Sequence, residues 1–503
     1  MYKITDAIRQ HPTAAFAAFL ALHAAVWTVL PALFFLNLPL DLIEALIYGR
    51  EWQLGYDKLP PLPWWMAEAT YRAFRADASY YAMAQVAVLA TFIMVRATAR
   101  PLVGPVGALV AVLIVDGLHY FNFTAPKFNH DVIQLPFWAL AGFAYWAALR
   151  RGRMLHWVLL GLGVGLAFWA KYFVLVLAVP LALFTLFDRD ARKTLATPGP
   201  WVAAAVALAV MSPHLAWLVR NDFLPIGYAE ARAIPFRGAL DYILKPPGFL
   251  VTQLGFLVPA LLIAAPYLRR DVRAPETDPA PADAFDRRIV TLLAFGPALT
   301  VVLLSLLTGR GTVAMWGYPL WLFLGLWIVL HGRALERVTL MRIVFLWGVI
   351  FTGFAAAFAI HYAVVPRLDQ ERYIAILFPG DRLGAELSRR YRAMTGKPLA
   401  YVIGAMWAGG NVSRYAPERP RVLIDGRPSR APWIDLGDLR AHGAAVVWLE
   451  GDGRAVPPAF RAIADDAEVQ PAFTLPFRLG AHSVRVNWAV LRPRPVVARR
   501  PPG

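Results

Sequence analysis

LHWVLLGLGVGLAFWAKYFVLVLAVPLALFTLF, residues 155–187, carries a single formal charge, Lys171. A bilayer's hydrocarbon core takes about 20 apolar residues as one helix. The stretch is too long for one crossing, and it divides at Lys171 into two halves, 155–170 and 172–187. An ionisable side chain in such a place is costly unless it snorkels to an interface or meets a partner. Gly161, Gly163 and Gly165 inside the first half read as small-residue helix packing rather than a nucleotide loop.

Similar runs lie on both sides, at 14–36, 81–95, 102–118, 132–149, 201–218, 249–268, 289–307, 318–330 and 343–364. With the two halves, that predicts about eleven transmembrane helices. The run at 14–36 is too long for a signal-peptide core and reads as a retained span. Composition agrees: of 503 residues, 58% are hydrophobic and 17% charged. Soluble chains sit closer to half apolar and a quarter charged, and one globule of this size cannot hide the excess. A soluble single domain, a disordered chain and a collagen are excluded. The predicted fold class is a polytopic α-helical membrane protein with a small C-terminal α/β extracytoplasmic domain.

The formal net charge is +17. Its distribution explains it better than a nucleic-acid partner does. Arg96/Arg100, Arg150/Arg151/Arg153, Arg189/Arg192/Lys193, Arg269/Arg270/Arg273 with Arg287/Arg288, and Arg333/Arg337/Arg342 fall in every second loop. Those loops, with Lys3 and Arg9, are expected to be cytoplasmic. The N-terminus is then cytoplasmic, and an odd number of spans puts the C-terminal domain on the periplasmic side. With no cysteine in the chain, disulfides and thiolate sites are excluded.

The membrane domain is expected over 1–365, with a first outward loop at 37–80. After Pro366 the apolar runs shrink to strand length, at 399–403, 421–424, 444–448 and 484–491, and alternate with helical stretches at 381–394 and 458–466. This predicts an extracytoplasmic α/β domain over 366–491 and a disordered tail over 492–503.

The chemistry-bearing residues gather in the outward loops. Asp41 and Glu44 are three apart, so on a helix entered near Pro39 and closed near Gly55 they share a face. Leu42, Leu46, Ile47 and Trp52 would then lie in the interface while the carboxylates face a cavity. They read either as a solvated face or as a general base for a hydroxyl. Pro60-Pro61 breaks the chain, and Trp64-Trp65 opens a second interfacial segment. Asn129-His130-Asp131 stands at the outward end of another span: Asp131 is a second acid or a helix cap, and His130 reads as a hydrogen-bonding residue rather than a metal ligand. Lys171 suits a lipid phosphate, shared with Lys58, Arg232, Arg237 or Arg310. Arg310 stands between Gly309 and Gly311, which permit close backbone approach. Walker A, His-Glu-x-x-His and Gly-x-Ser-x-Gly motifs are absent. Gly404 to Gly410 lacks dinucleotide spacing, and Asn411-Val-Ser413 matches a glycosylation acceptor as easily by chance as by design.

Through roughly its first 365 residues the chain resembles the GT-C glycosyltransferases that use polyprenyl-phosphate sugars. It is most similar to the bacterial family 39 group of aminoarabinose and lipopolysaccharide-core galacturonosyl transferases. The resemblance rests on Asp41-x-x-Glu44, Gly55-Tyr56-x-Lys58-x-Pro60-Pro61-Leu62-x-Trp64, Asn129-His130-Asp131, Gly165-Leu166 leading to Lys171-Tyr172, and Pro213-His214-Leu215-x-Trp217. It implies an inverting transfer of sugar from a polyprenyl phosphate to lipid A, lipopolysaccharide core or another glycolipid, at the outer face of the bacterial cytoplasmic membrane. Asp41 would activate the acceptor hydroxyl with Glu44 in support, and Asp131 would be the second-loop acid. Lys58 would hold the lipid phosphate, and Lys171 would contact phosphate or sugar. Tyr56 and His130 belong to the same donor-binding motifs, whereas Arg232, Arg237 and Arg310 join by charge alone. Many relatives place the two first-loop acids side by side; here Leu42 and Ile43 separate them, so either is the base. The chemistry requires no cofactor and leaves a divalent cation open. Implied partners are the carrier-linked sugar, the envelope acceptor and membrane lipids, with no nucleic acid. The rivals are a transporter or lipid flippase, a ligand-binding sensor, and an enzyme of the same kind acting on protein.

Overall fold

The computed structural model describes residues 2–268, 282–332, 335–368, 375–451, 453–479 and 482–494. Arg269, Arg270, Arg273 and Arg333 of the basic clusters, and residues 495–503 of the expected tail, lie outside the described residues. The chain divides into two units: Met1–Pro31, Lys58–Leu62 and Ala78–Phe358 form one, and Ala32–Asp57, Pro63–Asp77 and Ala359–Gly503 form the other.

The first unit is helical. Among the described residues seven helices have the length and hydropathy of a span: Pro12–Phe34, Ala78–Asp116, His130–Arg151, Gly199–Arg220, Ala239–Tyr267, Ala284–Thr308 and Arg337–Leu368. Met154–Ala170 and Tyr172–Phe187 are shorter apolar helices. The predicted runs at 81–95 and 102–118 lie on the single stretch Ala78–Asp116, kinked at Gly104, where φ is +71° between Pro101 and Pro105. The run at 318–330 is turn as far as Phe323 and helix only from Leu324. The multi-pass helical fold expected from the sequence is therefore the observed one.

The glycines of the opening stretch do what small residues do between helices. A Cβ on Gly161 would stand 2.5 Å from the Ala203 carbonyl oxygen, and one on Gly163 would stand 3.0 Å from the Ala141 nitrogen. Three neighbouring helices are thereby drawn to backbone contact.

A buried polar cluster around Asp116 holds the turn that leads into the site. His23 Nε2 lies 3.0 Å from Asp116 Oδ1, and the Trp347 indole donates to Asp116 Oδ2 at 2.7 Å. Asn122 donates to the Asp116 carbonyl and accepts from the Trp27 indole at 3.0 Å. Asn122 thereby anchors the end of the short 3-10 turn His119–Phe121, and its carbonyl accepts the Ala125 N–H that opens the next turn, Ala125–Lys127.

The second unit is built on a five-stranded sheet: β1 (Tyr401–Gly404), β2 (Arg421–Ile424), β3 (Ala444–Trp448), β4 (Glu468–Pro476) and β5 (Ser483–Leu491), in the order β2-β1-β3-β5-β4. β1 is parallel to β2 and β3, while β5 is antiparallel to β3 and to β4. Ile403, Leu423, Val446, Leu439, Phe460 and Leu491 are core residues on and beside it. Helices Met406–Tyr415 and Leu436–His442 carry the parallel crossovers, as parallel pairing requires. The helix predicted at 381–394 is Gly380–Thr395, and that at 458–466 is Pro458–Ala464. β4 was not legible: it is a largely exposed edge strand with two prolines and an irregularity between Gln470 and Phe473.

Helix Leu40–Gly49 belongs to this second unit. Leu42, Leu46 and Ile47, expected in the lipid interface, are instead buried within the unit. Gly410 makes room: a Cβ there would stand 2.5 Å from Ile43 Cγ2 and 2.6 Å from Ile47 Cδ1. The helix stops at Gly49 rather than near Gly55 because Trp52 takes a left-handed conformation, φ +48°, and a Cβ on Gly49 would lie 2.0 Å from the Trp64 carbonyl oxygen.

Candidate active site

In the first unit the motifs around Lys58, His130, Asp131 and Lys171 come together. Asn129, not Asp131, caps helix His130–Arg151, accepting the Val132 N–H at 3.1 Å. The Asp131 carboxylate turns instead to Lys171, whose Nζ lies 2.5 Å from Oδ1, and the same oxygen accepts from Gln134 Nε2 at 3.1 Å. Both side chains of the pair are mostly enclosed, Asp131 at 11% exposure and Lys171 at 14%. Lys171 reaches this position because its backbone is extended, φ −163°, and ends helix Met154–Ala170. A buried partner, not snorkelling, satisfies the lysine.

His130 ties this pair to the first loop. Its Nε2 donates to the Pro60 carbonyl oxygen at 3.0 Å, fixing the segment that begins at Lys58. Lys58 Nζ sits 5.2 Å from the centroid of the Tyr228 ring, an attraction of ammonium for the ring's electron-rich face. Tyr228 and Arg232 lie one turn apart on helix Leu224–Arg232, and Arg232 is exposed. The Arg310 guanidinium donates to the carbonyls of Glu230 (3.1 Å) and Ala233 (3.3 Å), closing that helix. Gly309, at φ +63°, caps helix Ala284–Thr308 and accepts from Phe236 N–H at 2.8 Å. In this state the glycines around Arg310 serve backbone pairing. Arg237 is exposed, and its own N–H donates to Asp241 at 2.8 Å.

Tyr120, which the sequence reading passed over, borders the pair. Its hydroxyl donates to the Ala314 carbonyl at 2.9 Å and lies 3.2 Å from Gln253 Oε1. Burial pushes its phenol well above the ordinary value, and the charge of Asp131 adds to the rise. It is a neutral donor at any working pH.

Asp41, Glu44 and Tyr56 lie in the second unit. Asp41 stands in the first turn of helix Leu40–Gly49, where the helix dipole favours an acid. Glu44 follows one turn later and is buried. Tyr48, one turn further, stacks on Trp64 with ring centroids 4.2 Å apart. Its hydroxyl donates to Asp57 Oδ1 at 2.8 Å. Burial raises the Tyr48 pKa far above its ordinary value, and the Asp57 and Glu44 charges reinforce this. Tyr56 is fully enclosed; its hydroxyl donates to the Tyr48 carbonyl at 2.7 Å and accepts from Gln53 N–H at 3.0 Å. Asn411 of the chance glycosylation motif is also buried and bonded, to Asn37 and Trp407.

Sequence comparison matches residues 58–217 to a family described as dolichyl-phosphate-mannose-protein mannosyltransferase. That span contains Lys58, His130, Asp131 and Lys171. The lipid A galacturonosyltransferase RgtD of Rhizobium johnstonii is 28% identical over 230 residues, 43% of this chain and 46% of that protein. The lipopolysaccharide core galacturonosyltransferase RgtA of the same organism is 25% identical over 333 residues, 63% of this chain and 64% of that protein. The alignments thus cover less than two thirds of either relative. Among solved structures, ArnT from Cupriavidus metallidurans bound to undecaprenyl phosphate superposes with a TM-score of 0.59 at 14% identity, over 98% of this chain and 100% of that one. Its apo state gives 0.58 at 15% identity, with the same coverage. The chain has the fold of that protein, and the resemblance to the GT-C glycosyltransferases is borne out.

Proposed function

We propose that this chain is an inverting glycosyltransferase. It moves a sugar from a polyprenyl-phosphate carrier to an envelope glycolipid, lipid A or lipopolysaccharide core, on the outer side of the bacterial cytoplasmic membrane. The observation that carries the reading is the enclosed Asp131–Lys171 pair, bonded through His130 to the segment that starts at Lys58. These side chains sit in a fold shared with a protein solved with undecaprenyl phosphate, and the named relatives act on lipid A and lipopolysaccharide core.

The reaction follows from the charges. An acceptor hydroxyl oxygen attacks the anomeric carbon, the bond from that carbon to the phosphate oxygen breaks, and the lipid phosphate leaves as an anion. Attack from the face opposite the leaving group inverts the centre. Lys58 and Lys171 stabilise the departing phosphate, as fixed cations do for developing negative charge. Asp41 or Glu44 takes the hydroxyl proton. Loop charge supports an N-terminus in the cytoplasm and the α/β domain on the opposite, periplasmic side.

Mass spectrometry of envelope lipids from a strain lacking the protein tests this. One glycolipid species should lose the mass of a single sugar and regain it on complementation. If a glycoprotein changes instead, the acceptor assignment fails; if no glycan species changes in lipid or protein, the function does.

A further inference from the structure

Within the second unit, four of the six acids of loop 37–80 are held by arginines from one short stretch of the C-terminal domain. Arg421 grips Glu51 with two bonds, at 3.1 and 2.6 Å. Arg430 Nε donates to Asp57 Oδ2 at 2.9 Å, and its other nitrogens reach Asp425 and, at 3.2 Å, the Tyr48 hydroxyl. Arg419 forks onto both oxygens of Glu68, which is wholly buried, and lies 3.9 Å over the Tyr71 ring. Arg414 donates to Asp77 at 2.6 Å. The two acids outside this row are Asp41 and Glu44.

Scattered surface pairs would mean little. Multidentate guanidinium contacts at enclosed sites are different, because several bonds from one rigid group fix orientation as well as distance: Arg421 and Arg419 each fork onto one carboxylate, and Arg430 spans Asp57, Asp425 and the Tyr48 hydroxyl. Arg419 and Arg421 stand at the amino end of β2, whereas Asp425 and Arg430 follow its carboxyl end, where a sheet of this kind usually presents ligand-binding loops. Here the turn after β2 is taken up by Asp425, Arg430 and Asp57. That end of the sheet binds the chain's own loop.

We propose that the α/β domain is the mount that fixes the first loop, and that Arg430 is a positioning residue for the transfer. It acts through Asp57, the residue next to Lys58, and through Tyr48, one turn beyond Glu44. The inference rests on the function proposed above; its structural half is measured separately. The chain lacks cysteine, so Leu54→Cys, at an exposed position of the loop, accepts a single spin label in the full-length protein in nanodiscs.

Arg430→Ala should release the label into faster motion. It should also lower kcat for transfer from a polyprenyl-phosphate-linked sugar by about a hundredfold, the scale of a misplacement near 1 Å. Arg430→Lys, which keeps the charge but not the branched guanidinium that spans Asp57, Asp425 and Tyr48, should lose about tenfold by the same reasoning. Added guanidinium should restore part of the Arg430→Ala loss. Tyr48→Phe keeps the stacked ring and removes only the hydroxyl bridge; it carries the test should Arg430→Ala fail to fold, and it should free the label likewise. Arg492→Ala, which breaks the pair with Glu468 on the far strand of the sheet, should change neither readout. Folded Arg430 and Tyr48 variants with an unmoved label and wild-type kcat would overturn the proposal, as would an equal loss in Arg492→Ala. If the wild type transfers no sugar, the functional reading falls, while the label still reports whether Arg430 holds the loop.

Discussion

Replacing Asp131 by asparagine should tighten the grip on the lipid phosphate while stopping turnover. In the resting protein the Lys171 ammonium faces the Asp131 carboxylate at 2.5 Å. Asparagine keeps an oxygen acceptor in place and deletes one negative charge. A phosphate bound at Lys171 would lie about 5 Å from that carboxylate; at an effective dielectric near 20 two unit charges at that separation repel by about 3 kcal/mol. Exposure at the edges of the pair lowers this to about 1–2 kcal/mol, so Asp131→Asn should bind polyprenyl phosphate about five- to thirtyfold more tightly. Lys171→Ala does the reverse, removing the attraction and stranding Asp131, and should weaken binding at least about tenfold. Native mass spectrometry or a radioligand assay in nanodiscs reads both, with turnover measured in parallel. Should Asp131→Asn weaken phosphate binding as much as Lys171→Ala does, the pair is a structural strut and Lys171 is not the phosphate ligand.

Three other outcomes follow from the second unit. Asp41→Asn and Glu44→Gln should bind donor normally, and the one that removes the base should lose about 10²–10⁴ in kcat; full activity in both would dismiss the first-loop acids from the chemistry. Glu68 gives a pH signature. Burial pushes its carboxyl up, but hydrogen bonds from Arg419 and Arg72 outweigh that and hold it below the ordinary value. A depressed folded pKa gives stability that is complete above the unfolded value, about 4.3, and is lost as pH falls through the folded one. Melting curves between pH 7 and 3 should therefore show an acid-labile transition in the wild type and a flatter limb in Glu68→Gln. Arg419→Ala, which leaves the buried carboxylate to Arg72 alone, should cost about 1.5–3 kcal/mol at neutral pH; an unchanged melt would refute the clamp at Glu68.

What the sequence revealed follows from range. The spans were legible because a long apolar run has one physical outcome in a membrane protein, and Lys171 stood out because a charge inside one needs a reason. β1, β2, β3 and β5 were visible as short apolar runs, whereas the apolar alternation of β4, an edge strand, is broken by Pro471 and by the irregularity between Gln470 and Phe473. Helix Met406–Tyr415 was hidden by Gly409 and Gly410, which lower helix propensity yet are required, Gly409 where Val422 approaches and Gly410 where Ile43 and Ile47 do. The Asp131–Lys171 pair spans 40 residues and Arg430–Asp57 spans 373. No local pattern encodes such partners. The same holds for His23 and Asp116, which single-span reading left unremarked.

The most direct measurement is the reaction itself. Purified protein in nanodiscs is given a panel of synthetic polyprenyl-phosphate-linked sugars with lipid A or lipopolysaccharide core, and both lipids are followed by mass spectrometry. The account predicts that the acceptor gains one sugar with inverted configuration, that polyprenyl phosphate appears in equal amount, and that Lys171→Ala removes both signals. Transfer from a nucleotide sugar alone, or movement of the carrier lipid across the bilayer without any change in acceptor mass, would contradict it.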